Sequence, residues 1–194
     1  MTRKTITFTD HLIQATLASA LKKIVGEENW LGEEVRVPDT RYRWDMMFKA
    51  NGKTFVVEFD GDSHYRDSLV IRKDREKDEI AKKMGYTVVR VPYFVQLTTE
   101  TLHHWFGLDA DIVQEFPHGF IKSKVYPASF CAMGVWRFEY EVYQLPFPVF
   151  TAIMDSLFDR TDELNYNLNY TFGEALSDFL DDVLGKNDEA KDAN

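Results

Sequence analysis

Apolar residues first recur at helical spacing through Leu12, Ala15, Leu17, Leu21 and Ile24, with Gly26 behind them. This predicts a helix capped by Thr9 or Asp10 and ending near Ile24. Residues 35–37 then form a short β-branched run before the turn pair Pro38-Asp39. The clearest local signal follows. Residues 41–50 and 53–60 are two strand-like runs joined by Asn51-Gly52, the dipeptide of a type I′ hairpin turn. Residues 68–84 are highly charged but keep Leu69, Ile71, Ile80 and Met84 as apolar positions, and Gly85 closes this second helix. A strand at 86–91 stops at Pro92, and a helix is predicted over 98–106. The first 106 residues thus read α-β-β-β-α-β-α.

The second half is less periodic. Residues 116–148 are rich in aromatic side chains, among them Tyr126, Phe130, Trp136, Phe138, Tyr140 and Tyr143, which read as core rather than as a base-stacking surface. Residues 135–143 are expected to be a strand, Pro146 and Pro148 break the pattern after it, and 149–158 is expected to be a helix. An acidic amphipathic helix is expected at 172–184, and a polar, disordered tail at 185–194. The fold class is α/β. A mixed central sheet flanked by helices occupies residues 1–106, and an acidic α+β extension, 107–194, packs on it.

The hairpin has a chemical consequence. A two-residue loop pairs Ala50 with Lys53, which places Asp45 opposite Glu58 with Cβ atoms about 5 Å apart. Asp60 shares the face of Glu58 by alternation. Trp44, Met46, Phe48, Phe55, Val57 and Phe59 fall on the opposite face as a core stripe. Opposed carboxylates repel unless a cation lies between them. Mg²⁺ or Mn²⁺, held by Asp45 and Glu58 with the Phe59 carbonyl, meets that need, with Asp60 binding a second ion or positioning a water. His64, just past the strand end, is a candidate for proton transfer or phosphate contact. Arg72, Lys73, Arg75 and Lys77 on the next helix are candidates for balancing developing charge. The plainer reading makes the acids a solvated strand face, Arg43 the salt-bridge partner of Asp60, and the charged helix a solvated one.

Charge at first opposes a nucleic-acid partner, because the chain carries −9. The acidity is uneven, however. Residues 1–106 hold 17 Lys+Arg and 16 Asp+Glu, net +1, and residues 107–194 hold 6 and 16, net −10. The first half therefore keeps a surface compatible with phosphate. The single cysteine, Cys131, leaves no internal disulfide and no cysteine metal cluster. No apolar run is long enough for a membrane span, the first nine residues lack the apolar stretch of a secretory signal, and the cytoplasm is the expected compartment.

The segments Arg43-Trp44-Asp45, Val56-Val57-Glu58-Phe59-Asp60-Gly61-Asp62-Ser63-His64-Tyr65, the basic helix and Gly85-Tyr86-Thr87-Val88-Val89-Arg90 together resemble the PD-(D/E)XK, or restriction-endonuclease-like, nuclease superfamily. The likeness is to the branch of the very short patch repair endonucleases, with the phage homing nucleases and the domains of unknown function related to them. It covers about residues 8–106. It implies a restriction-endonuclease-like core and a metal-dependent DNA endonuclease using Mg²⁺ or Mn²⁺ bound by Asp45 and Glu58. His64 matches the branch's functional histidine, and Arg90 an arginine near phosphate; Lys73 and Arg43 are further expected DNA contacts. Asp60 stands where the superfamily usually has a lysine, for which Lys77 is the expected substitute. The glutamate many relatives carry on the first helix is missing; His11 and Gln14 occupy that stretch. Alternatives are a catalytically inactive binding or regulatory protein of the same fold, and a DNA mimic engaging a basic protein through its acidic half. RNA is the alternative substrate, a homodimer is the arrangement a double-strand cutter would call for, and a phage protein would act in its host's cytoplasm.

Overall fold

The computed structural model describes residues 4–120 and 127–159. Asn51 (φ 50°) and Gly52 (φ 73°) both adopt the left-handed conformation that a type I′ turn requires. They join β3 (Arg43–Ala50) to β4 (Lys53–Asp60) in the expected register, with Ala50 opposite Lys53, Phe48 opposite Phe55 and Met46 opposite Val57. The Asn51 amide also donates to the carbonyl of Gly107 at 3.0 Å, tying the turn to the end of a helix. Two outer strands complete a mixed four-stranded sheet in the order β2-β3-β4-β5. Strand β2 (Trp30–Arg36) runs antiparallel to β3, and β5 (Thr87–Pro92) parallel to β4. The parallel step needs a crossover, made by a short α2 (Ser63–Arg66) and by α3 (Ser68–Lys83). The Asp67 side chain caps α3 by accepting from the Leu69 N–H at 2.8 Å.

Several expectations are corrected. Residues 5–8 are a strand, β1 (Thr5–Phe8), and α1 (Gln14–Val25) starts a turn later than Thr9 or Asp10 would cap it. The Asp10 carboxylate accepts only from the neighbouring His11 N–H, whereas Thr16 Oγ1 takes the Ile13 N–H and begins the helix there. Strand β2 is longer than 35–37; its exposed, polar residues and the bulge between Trp30 and Gly32 hide any alternation. Strand β6 (Asp111–Gln114), also unforeseen, pairs in parallel with β1 as a separate two-stranded sheet. Helix α4 (Thr99–Phe106), capped by Thr98, is as expected. The expected strand at 135–143 is instead α5 (Ala132–Tyr143). Val135, Phe138 and Val142 are buried at helical spacing while Trp136, Tyr140 and Tyr143 are exposed; β-branched and aromatic content had masked that period. Pro146 and Pro148 do not interrupt structure but open α6 (Phe147–Phe158), where a missing N–H costs nothing. The helix expected at 172–184 and the tail at 185–194 lie outside the described residues.

The four-stranded sheet is covered on both faces. Met46, Phe48, Phe55 and Val57 pack under Leu17 and Leu21 of α1 and Leu102 and Phe106 of α4. Met47 and Val56 pack on the other face against Ala81 of α3. Trp44 departs from its expected stripe and joins this second cluster, its ring edge-on to Tyr86. A third, aromatic cluster joins Tyr65, Phe94, Phe120, Phe130 and Phe138 to α6. Of the aromatic residues expected in the core of the second half, Phe130 and Phe138 are there, Trp136, Tyr140 and Tyr143 face outward, and Tyr126 lies outside the described residues. No helix among the described residues is long and apolar enough to cross a membrane.

Candidate functional site

The site lies on the α3 face of the sheet, at the end of β3 and β4 where the apolar pairs give way to acids. One step beyond the Met46–Val57 pair, Asp45 folds its Oδ2 onto the backbone N–H of Phe59 at 2.8 Å. Its other oxygen has no hydrogen bond among the described residues. Burial raises the Asp45 pKa above the usual carboxylate value, although the Phe59 hydrogen bond and nearby Lys77 oppose the rise. Glu58 is 2% exposed. Lys77, reaching down from α3, donates to its Oε2 at 2.6 Å, while its Oε1 is buried with no partner among the described residues. Burial first, and the charge of Asp45 second, push the Glu58 pKa up to about 7. A buried carboxylate oxygen without a donor is normally costly. A hard divalent cation between Asp45 and Glu58 would satisfy it, so the residues present fit such an ion. Glu34 of β2, at φ 50°, adds negative charge near Asp45, and sequence reading did not single it out.

The remaining expected residues form a second, adjacent network. Asp60 is fully buried and does not pair with Arg43, which donates instead to the Glu34 carbonyl at 2.8 Å. Asp60 is held by Arg90 Nη1 at 2.7 Å and by Arg137 Nη2. Arg90 also grips Asp78 through Nε and Nη2 and donates to the Asp74 carbonyl. All three of its nitrogens are engaged, which makes it a buried pin rather than a phosphate contact. Lys73 sits on the exposed side of α3. His64 Nδ1 lies 2.7 Å from Asp74 Oδ2 and 3.1 Å from Asp60 Oδ1. Burial opposes charge on this ring, but the Asp74 hydrogen bond and the charges of Asp60 and Asp74 outweigh it and raise the His64 pKa. Asp60, His64 and Asp74 have the spacing of a metal triad. Two guanidinium groups already neutralise its carboxylates, so Asp60 reads as an ion-pair centre and not as a cation ligand.

Three members of this network escaped sequence reading. Asp74 and Asp78 lie on the same stripe of α3 as buried Ile71 and Ala81, and acids embedded in an apolar stripe are a legible sign of buried partners. Arg137 carried no such sign while its segment read as a strand. Comparisons of the chain with protein-family models, with curated proteins and with solved structures find no match.

Proposed function

We propose that this protein is a metal-dependent nuclease that hydrolyses phosphodiester bonds in DNA, built on a restriction-endonuclease-like core. One observation carries the reading: Asp45 and Glu58 converge at the end of the hairpin with a buried, unpartnered oxygen on Glu58 and a lysine on its other oxygen. The order of strands and helices from α1 to β5 and the motif resemblance support the fold assignment. Asp45 and Glu58 would hold Mg²⁺ or Mn²⁺. A bound divalent ion supplies charge for a phosphate oxygen and makes an attacking water more acidic. Lys77 stands where it orients the Glu58 carboxylate and offsets negative charge arriving with a phosphate. His64, partly exposed beside the same strand end, is the candidate for moving a proton.

Plasmid nicking in Mn²⁺, with EDTA as the control, tests this proposal. Wild-type protein should nick, and Asp45→Ala and Glu58→Ala should lose about a hundredfold or more of that activity. Equal cleavage by the variants, or cleavage in EDTA, would remove the assignment.

A further inference from the structure

We propose that Asp74 and Arg137 are positioning residues that hold His64 with its proton on Nδ1 and its Nε2 free to face water or a substrate oxygen. This rests on the nuclease reading only for what His64 acts upon; the positioning itself is a property of the folded chain.

Three observations converge on it. The first is hydrogen-bond polarity. His64 Nδ1 has Asp74 Oδ2 at 2.7 Å and Asp60 Oδ1 at 3.1 Å. Ionised carboxylates only accept, so Nδ1 must be the donor. Its His64, Arg90 and Arg137 partners hold Asp74 in that ionised form, lowering its pKa despite burial. Neutral imidazole then carries its lone pair on Nε2, which makes no hydrogen bond among the described residues. The ring is 22% exposed, so it is neither sealed in nor loose.

The second observation is the frame around the ring. Arg137 is 9% exposed and bridges every part of this pair. Its Nη1 donates to Asp74 Oδ2 at 2.7 Å and to the His64 carbonyl at 3.2 Å, and its Nη2 reaches Asp60. Its Nε donates to Glu141 Oε1 at 2.7 Å, and the guanidinium lies over the Tyr65 ring, 5.0 Å from its centre. One side chain thus fixes the carboxylate that holds the ring and the backbone that carries it.

The third is the docking of α5. The Tyr65 carbonyl accepts from the Cys131 N–H at 3.1 Å, and a Cβ on Gly134 would fall 1.8 Å from that same oxygen. Only glycine allows this approach, which sets Arg137, one turn further on, over His64. Helix α5 is in this way part of the site and not an appendage.

Long-range ¹⁵N–¹H spectra of the metal-free protein test the proposal directly. Among the five histidines, the His64 ring is assigned by its loss in His64→Gln. Above its pKa, wild type should show the Nδ1–H tautomer, the minor form of free imidazole. Asp74→Asn, whose amide can donate to Nδ1, should lose that signature, and Arg137→Lys should weaken it. In the nicking assay both variants should lower kcat about tenfold or more while Mn²⁺ affinity, read by calorimetry, stays within about twofold of wild type. Neither should lower activity further in the His64→Gln background. A wild-type Nε2–H tautomer, or Asp74→Asn spectra unchanged from wild type, would overturn the positioning even if the protein nicks DNA. A wild-type Nδ1–H tautomer lost in Asp74→Asn would uphold it even if the protein nicks nothing, and the nuclease reading alone would then fail.

Discussion

Replacing Glu58 with glutamine should stabilise the metal-free protein at alkaline pH. The carboxyl moves from a value of 4.5 in the unfolded chain to about 7 in the folded one, chiefly through burial. At about 1.4 kcal/mol for each tenfold change in proton affinity, ionised Glu58 costs the folded state about 3 kcal/mol. The folded pKa is the higher one. Wild-type stability attributable to this group is therefore complete below pH 4.5 and lost as pH rises through about 7. The glutamine side chain keeps the shape, still accepts from Lys77 and cannot ionise. Urea unfolding in EDTA at about pH 5 and about pH 8 would measure the effect. The stability of Glu58→Gln relative to wild type should rise by about 2 to 3 kcal/mol between those conditions, with an unchanged denaturant slope. Saturating Mn²⁺ at the higher pH should restore wild type by about 3 kcal/mol at a hundredfold excess over Kd, and leave the variant unmoved. A difference between the two proteins that is flat with pH would refute the burial of an ionisable Glu58 carboxyl. Equal Mn²⁺ stabilisation of both would refute its role as a ligand.

Other consequences follow from neighbouring packing. Gly134→Ala forces a methyl into the Tyr65 carbonyl and should cost about 3 kcal/mol or more in urea unfolding; a loss under about 1 kcal/mol would mean α5 does not depend on this approach. Burial pushes the His118 pKa down from 6.5 to about 4, and its Nδ1 accepts from the Gln96 N–H at 3.1 Å. The unfolded chain takes up the proton first, so stability should fall by about 3 kcal/mol as pH drops from 6.5 towards 4. His118→Gln should flatten that acid limb, and an unaltered limb would place the acid sensitivity elsewhere.

Local chemistry made much of the sheet legible. Asn51-Gly52 dictates a two-residue turn, the turn dictates register, and register brings Asp45 and Glu58 to one end of one face before any coordinates are known. Gly85 likewise marks a helix end through backbone freedom, and Asp67 and Thr98, which sequence reading did not single out, cap their helices through contacts only a few residues long. What lay outside the sequence's reach depends on contacts between distant segments. β1 and β6 are four residues each and acquire strand form only by pairing across about a hundred positions. Strand β2 follows its partner rather than an alternation of its own. Arg137 reaches Asp60 and Asp74 because a glycine lets one helix touch the backbone of another. Short-range preferences are written residue by residue; which distant charges meet in a buried network is decided only when the core closes around them.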